Sequence, residues 1–136
     1  MSILYKFLYK IIVEMIFGTE MAFETRVGNN LILEHGGNGV IIHADTRIGD
    51  NVVIYQQVTI GGFGLTHFDE EYRKKNPEKG AGAPKIGNNV VIGAGAKILG
   101  NVTVGDGARI GANAVVLKDV PTNSTAVGVP AKVVKS

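Results

Sequence analysis

The feature that most restricts the fold of this chain is a six-residue repeat of large aliphatic side chains. From residue 86 every sixth residue is isoleucine or valine for six repeats, and the residue four places after each is alanine or valine. An α-helix repeats every 3.6 residues and a strand every two, so neither element produces this spacing. A period of six is typical of a short strand followed by a tight bend. The large residues are Ile86, Ile92, Ile98, Val104, Ile110 and Val116.

The same repeat begins earlier in the chain, so thirteen repeats can be counted in all. Glycine follows the large residue in seven of them, and the 136 residues include 19 glycines, about twice the usual share. Glycine and asparagine tolerate the positive φ that tight bends need. Three repeats per turn predict about four turns of a solenoid around a buried aliphatic column. The earlier large residues are Met21, Val27, Leu33, Ile42, Ile48, Ile54 and Ile60.

Two interruptions break the repeat, and solenoids often place such insertions on the face that binds ligands. The first is a three-residue excess at 34–41, which contains Glu34 and His35. The second is the stretch 62–85, with nine charged residues and His67. Functional residues are therefore expected in or beside these two segments.

The N-terminal segment 1–19 differs from the rest of the chain and precedes the predicted solenoid domain, 20–134. Its apolar residues follow helical spacing, with Lys6, Lys10 and Glu14 on the other face, which predicts an amphipathic helix. A membrane span needs ~20 mostly apolar residues, and a signal peptide needs a cleavage site. We expect the helix to pack on the domain or on a neighbouring subunit, with contact of residues 2–17 with a membrane surface as the alternative.

The composition excludes several classes of protein. A net charge of +2 gives no support for nucleic-acid binding. The absence of cysteine excludes a disulfide framework and thiol chemistry. We therefore expect a cytoplasmic protein, with a peripheral position at the inner membrane face as the variant that the helix suggests.

The C-terminal sequence IGAGAKILGNVTVGDGARIGANAVVLKDVP, followed by AVGVPAKVV, is similar to the C-terminal half of serine acetyltransferases, which are hexapeptide-repeat acyltransferases. The resemblance covers roughly residues 20–134 and does not include that family's large helical domain. It implies a mainly β fold: a left-handed parallel β-helix with a short N-terminal α-helix and one long ejected loop. The left hand comes from the resemblance alone, because spacing does not determine it. The resemblance also implies acetyl-CoA as co-substrate, a homotrimer and no metal.

The motif LEHGGNGV, residues 33–40, resembles the catalytic motif of this family. The resemblance implies His35 as general base, with Glu34 in place of the usual aspartate. It also implies Glu20, fifteen residues before His35, as the carboxylate that orients the imidazole. Neutral imidazole suits removal of a proton from an attacking hydroxyl near pH 7. Glu34, His43 and His67 are candidate substrate contacts, although His43 stands at a bend position of the repeat.

In this family coenzyme A lies in a groove between two neighbouring β-helices. The resemblance implies that Gly62, Ala94 and Ala112 contact the pantetheine arm and that Arg109 and Lys132 meet the phosphates. Small side chains let a ligand approach the backbone, and basic side chains supply charge-assisted hydrogen bonds. The bend positions of the repeat would by themselves also explain the two alanines.

The acceptor is predicted from three departures from the family pattern: the helical domain is not matched, the N-terminal helix is apolar, and an Arg-His pair is missing. Serine acetyltransferases carry Arg-His directly before PKI to grip the serine carboxylate, whereas this chain has Gly82-Ala83. Arg73, Lys74, Lys75 or His67 could replace that pair. We expect a sugar hydroxyl of a surface polysaccharide to be favoured over L-serine, with serine O-acetylation as the alternative.

Two more distant functions are considered. The three histidines could belong to a zinc hydratase of the carbonic-anhydrase kind, which needs three converging ligands. Their spacings of 8 and 24 residues, between His35, His43 and His67, do not resemble that family. A β-helix that serves only as a scaffold is the other alternative, against which the LEHGGNGV motif argues.

Overall fold

The computed structural model describes residues 2–62, Lys74 and 82–135, in which a helix is followed by fifteen short strands. Fourteen of these strands form the parallel ladders of a three-sided β-helix. The first sheet contains β1 (Glu20–Met21), β4 (Ile41–Ile42), β7 (Thr59–Gly61), β10 (Lys97–Leu99) and β13 (Val115–Val116). The second contains β2 (Arg26–Val27), β5 (Arg47–Ile48), β8 (Lys85–Ile86) and β11 (Thr103–Val104). The third contains β3 (Ile32–Leu33), β6 (Val53–Ile54), β9 (Val91–Ile92), β12 (Arg109–Ile110), β14 (Thr125–Val127) and the antiparallel β15 (Lys132–Lys135).

The mainly β fold predicted from the repeat is confirmed, and the structure adds the end of a fifth turn. Thirteen repeats make four turns and begin a fifth with Val116 in β13, the fifth strand of the first sheet. The rest of the fifth coil escapes the count because its second inward residue, Val120, comes four residues after Val116 instead of six. Val120 bridges Val104, and Ala126 then pairs with Ile110. The spacing is shortened at one corner while the stacking continues.

The core is the column of inward aliphatic residues that the repeat predicts. In β4, Ile42 is 3% exposed while its neighbour Ile41 is 44% exposed, so the two side chains point to opposite sides of the sheet. Ile42 pairs with Ile60, and Ile60 pairs with Ile98, so each inward residue stacks on its equivalent in the next coil. Burial of each such side chain contributes about 1.5–3 kcal/mol.

An asparagine ladder closes the corner between the second and third sheets. Asn30, Asn51 and Asn89 have φ of 61°, 55° and 56°, the left-handed conformation that asparagine tolerates better than most residues. Asn30 Nδ2 donates to Asn51 Oδ1 at 3.1 Å, and Asn51 Nδ2 donates to Asn89 Oδ1 at 3.2 Å. One side chain per coil thus both permits the turn and ties it to the next coil.

The predicted N-terminal helix is present as α1 (Ile3–Lys10), which continues into a π-helical segment (Ile11–Ile16). The rings of Tyr5 and Tyr9 meet Phe23 edge-on, with centroids 5.7 and 5.4 Å apart. Burial raises the pKa of Tyr9, and the Glu14 carboxylate adds to this effect. The helix therefore packs on the first coil mainly through aromatic contacts.

An ion pair adds to this contact. Lys6 Nζ lies 2.6 Å from Glu24 Oε1, and the hydrogen bond holds the pKa of Glu24 below its ordinary value. The opposite side of the helix is apolar and solvent-exposed, and no helix in the described residues is long and apolar enough to cross a membrane. The exposed residues are Ile3, Leu4, Phe7, Leu8, Ile12, Met15 and Ile16.

The ladder predicts different effects for two substitutions of Asn51. Asn51→Ala removes both ladder hydrogen bonds and puts at φ 55° a residue that tolerates the left-handed backbone less well than asparagine. The expected loss is about 2–3 kcal/mol, from ~1–2 kcal/mol for the left-handed backbone and ~1 kcal/mol for hydrogen bonding. Asn51→Gly, the matched control, loses only the hydrogen bonds and should be the more stable variant. Urea unfolding midpoints at constant slope measure both, and an alanine variant as stable as the glycine variant would refute this role of the backbone.

Candidate active site

The first interruption of the repeat forms a tight, non-helical turn (Glu34–Gly37) directly after β3. His35, Gly36 and Gly37 have φ of 54°, 68° and 69°, so three consecutive residues are left-handed. This conformation costs a histidine of order 1 kcal/mol, and such costs cluster at functional sites. The three extra residues are absorbed in this turn at the corner between the third and first sheets. We call it the His35 corner.

The turn is fixed by the segment that precedes β1. Thr19 is 1% exposed, and its Oγ1 donates to the Gly37 carbonyl oxygen at 2.8 Å. The Gly39 N–H donates to the Gly18 carbonyl oxygen at 2.9 Å. Thr19 was not predicted from the sequence, because a single threonine gives no local signal of a contact 18 residues away. These bonds hold the backbone that follows His35.

Glu20, the predicted partner of His35, follows Thr19 and begins β1. Its side chain is exposed, and the hydrogen bonds and ion pairs among the described residues include none between Glu20 and His35. The His35 ring instead lies near the ring of Tyr55. Their centroids are 6.3 Å apart, and their planes meet at 49°. Tyr55 was also missed by the sequence analysis, since it lies one coil further on. The structure brings the two segments together, while the orienting role of Glu20 stays a prediction.

The His35 corner continues upward through the following coils. Gln57 N–H donates to the Asn38 carbonyl oxygen (2.9 Å), Gly95 N–H to that of Gln56 (3.0 Å) and Asn113 N–H to that of Ala94 (2.9 Å). Ala94 and Ala112, two predicted cofactor contacts, therefore lie on the same corner as His35. His35 is in the first coil, Ala94 in the third and Ala112 in the fourth. The sequence predicted these residues separately, and the fold aligns them in one column.

Other predicted residues lie on a different corner, between the first and second sheets, which we call the His43 corner. The ring nitrogen Nδ1 of His43 accepts from the Asp45 backbone N–H at 3.2 Å. The backbone N–H of His43 donates to the Ile60 carbonyl oxygen at 2.8 Å. This agrees with the interpretation of His43 as a bend residue. Gly62 occupies the same corner one coil later. Within one chain, the first sheet separates both residues from His35.

The basic candidates are at the far end of the β-helix from His35. Arg109 points outward from the third sheet and is exposed, and its strand partner is Thr125. Lys132 pairs with Val127 in the terminal antiparallel strand and is exposed. Both therefore lie on the sheet beside the His35 corner, near the level of Ala112.

The remaining candidates are less well placed for a functional assignment. Glu34 is half-buried at the start of the His35 turn, and Lys74 is exposed. His67, Arg73 and Lys75 lie outside the described residues. In residues 2–62 and 82–135 no group of three His, Asp or Glu side chains could hold a metal ion.

Comparison with known proteins gives the family. The bacterial transferase hexapeptide model (six repeats) matches residues 83–118. Serine acetyltransferase of Helicobacter pylori strain J99 is 47% identical over 119 residues, 88% of this chain and 62% of that protein. The enzyme of Staphylococcus xylosus is 44% identical over 118 residues, 87% of this chain and 49% of that protein.

Over most of its length the chain resembles serine acetyltransferases with hexapeptide repeats. It spans 62% and 49% of the length of these two relatives. A soybean serine acetyltransferase complexed with serine superposes with a TM-score of 0.77 and 40% identity over 89% of this chain and 44% of that one. A Brucella abortus serine acetyltransferase in complex with coenzyme A superposes with a TM-score of 0.77. It is 39% identical over 90% of this chain and 44% of that one.

These likenesses confirm the predicted resemblance and the left-handed β-helix class. They do not support the preference for a sugar acceptor, because the relatives are named for serine. The prediction of a polysaccharide acceptor rested on the missing Arg-His pair, on the apolar N-terminal helix and on the helical domain that the resemblance does not include. The alternative of serine O-acetylation fits the comparisons better.

The two glycines of the His35 turn offer a matched pair of variants. Their φ angles are nearly equal, so the left-handed backbone destabilises an alanine by the same amount at Gly36 and at Gly37. At Gly37 a Cβ would stand 2.5 Å from Thr19 Oγ1 and 3.1 Å from Leu33, whereas at Gly36 the nearest atom is a Phe17 ring carbon at 3.8 Å. Gly37→Ala should therefore be about 1–3 kcal/mol less stable than Gly36→Ala in urea unfolding, from steric overlap. Equal stabilities would mean that Thr19 does not clamp the turn.

Proposed function

We propose that this protein is an acetyl-CoA-dependent O-acetyltransferase that acts on L-serine, with His35 as general base. The observation that carries the proposal is the left-handed His35 turn on the corner that also holds Ala94 and Ala112. It occurs in a chain that is 44–47% identical to serine acetyltransferases. A left-handed histidine in a clamped turn has no purpose in a scaffold, where glycine and asparagine take most of the other left-handed positions.

The chemistry follows from the residue types. The serine hydroxyl attacks the thioester carbonyl carbon while the His35 imidazole removes its proton. The tetrahedral intermediate then collapses, the C–S bond breaks, and the imidazolium returns the proton to the departing thiolate. The products are O-acetylserine and coenzyme A. In this proposal the Glu20 carboxylate stabilises the imidazolium, and Glu34 contacts the acceptor substrate.

The column above His35 provides a path for the cofactor. Successive coils are ~4.8 Å apart, so the corner from His35 to Ala112 extends roughly 14 Å. The pantetheine arm would lie along it with the thioester at His35, and the small side chains of Ala94 and Ala112 would leave the backbone accessible. Arg109 and Lys132 would meet the phosphates at the far end.

The acceptor proposal must account for Gly82-Ala83, where the family carries Arg-His. Ala83 is 7% exposed, and Gly82 and Pro84 are also buried, so this segment offers no cation to a carboxylate. Because the relatives are serine enzymes, we propose that the loss weakens serine binding and leaves the acceptor unchanged. The expected signature is a raised KM for L-serine.

A cytoplasmic location, where acetyl-CoA is available, is also proposed. The exposed apolar side of α1, with Ile3, Leu4, Phe7 and Leu8, supports contact of residues 2–17 with a membrane surface. Sedimentation with anionic vesicles would test that contact.

His35 and the acceptor are tested together by thiol release from acetyl-CoA. Wild-type protein should release coenzyme A with L-serine and form O-acetylserine, detected by mass spectrometry. His35→Ala should lower kcat by roughly two to four orders of magnitude, the usual effect of losing a general base. His43→Ala is the control and should stay within a few-fold of wild type. Full turnover by His35→Ala, or release with simple glycosides and none with serine, would contradict the proposal.

The assembly is proposed to be a homotrimer. One chain divides its predicted contacts between two corners, with Ala94 and Ala112 on one and Gly62 on the other. A neighbouring copy that apposes the two corners would complete the groove. Light scattering should give three times the 14.4 kDa chain mass at assay concentration. An active monomer would contradict a shared site.

A further inference from the structure

Lys97 places its ammonium group on the His35 corner, and none of the functions above uses it. It lies in β10 of the first sheet, between Thr59 and Val115 of the neighbouring strands. Its Nζ donates to the carbonyl oxygen of Gln57 at 2.8 Å and to that of Gly95 at 3.0 Å. The side chain therefore bends from the outer face of the sheet over the corner and bridges its second and third levels.

The charge of Lys97 has no anionic counterpart among the described residues. The ion pairs there are Lys6–Glu24 and Lys10–Glu14. Lys97 is half-buried, so its ammonium is screened by water less than a fully exposed one. An ammonium has three N–H donors, and the two carbonyl oxygens use two of them. One donor and a positive charge remain at the corner.

The carbonyl groups that Lys97 binds belong to the left-handed turns of this corner. Gln57 has φ 63° and Gly95 has φ 72°. Gln57 also donates from Nε2 to Asn38 Oδ1 at 3.1 Å, in the segment that carries His35. Hydrogen bonds thus connect Lys97 through Gln57 to the His35 turn, and Gly95 is the chain neighbour of Ala94.

We propose that Lys97 is a binding residue for acetyl-CoA. Its ammonium fixes two successive turns along the cofactor path, and its remaining N–H donates to an amide carbonyl oxygen of the pantetheine arm. That arm is the part of the cofactor expected at this level, and an amide carbonyl is the acceptor it offers to a cation. The inference rests on the proposed acetyl-CoA site and adds a residue to it.

The expected effect separates binding from catalysis. Loss of a charge-assisted hydrogen bond, at about 1.5–3 kcal/mol, corresponds to roughly tenfold to hundredfold weaker coenzyme A binding in Lys97→Met. The KM for acetyl-CoA should rise similarly, while kcat at saturating acetyl-CoA stays within a few-fold, because His35 is retained. A purely structural lysine would lower the thermal unfolding midpoint without this split.

The experiment is calorimetric titration of coenzyme A into wild type, Lys97→Met and Lys85→Met. Lys85 is the matched control, since it also precedes an inward isoleucine in its strand but is exposed on the second sheet. The inference predicts weakened binding for Lys97→Met alone. Equal binding by all three, or equal weakening by both variants, would overturn it. Wild-type protein that binds no coenzyme A would instead refute the proposed function itself.

A second variant covers failure of Lys97→Met to fold. Lys97→Arg retains the charge, but the planar guanidinium directs its donors differently from an ammonium. Its coenzyme A affinity should fall several-fold while the thermal midpoint stays near that of wild type. Unchanged affinity in a folded arginine variant would overturn the role of the ammonium geometry.

Discussion

The structure depends on one interaction, the stacking of inward aliphatic side chains from coil to coil. Ile42, Ile60 and Ile98 pair in register along the first sheet and are almost completely buried. A slip of one residue would turn each large side chain to the outer face, so burial fixes the register of every strand. The left-handed corners follow from this requirement, because each coil must turn sharply enough to return its next large residue to the column.

The same constraint explains where chemistry can be placed. The extra residues of the first interruption lie wholly at a corner, between the pair Leu33–Ile54 and the pair Ile42–Ile60, and neither pair is displaced. His35 is exposed and points away from the column, whereas Val40 at the end of the same corner is buried in it, so the histidine has little effect on packing. Stacking then repeats the corner above it, which turns one site into a column of backbone groups, small side chains and one ammonium. A long, narrow ligand fits such a column better than a compact one.

Much of the fold was predictable, because an inward residue every six positions is a local signal that survives in the sequence. The position of the candidate site was predictable for the same reason, as an interruption of that signal. Thr19, Tyr55 and Lys97 were not, since their contacts join residues 17 to 40 positions apart and depend on which corner each coil reaches. The rest of the fifth coil was missed because Val120 breaks the spacing while keeping the stack. The sugar acceptor was favoured from three departures from the family pattern, and together they carried less information than the similarity of the whole domain.

The central claim is that acetyl transfer occurs at the His35 corner. A crystal structure with coenzyme A and L-serine bound tests it most directly. The account predicts the pantetheine arm along the corner past Ala94 and Ala112. It also predicts the serine hydroxyl ~2.6–3.2 Å from a His35 ring nitrogen and ~3–3.5 Å from the position of the thioester carbon. Coenzyme A bound along another corner, or a serine hydroxyl held away from His35, would contradict it.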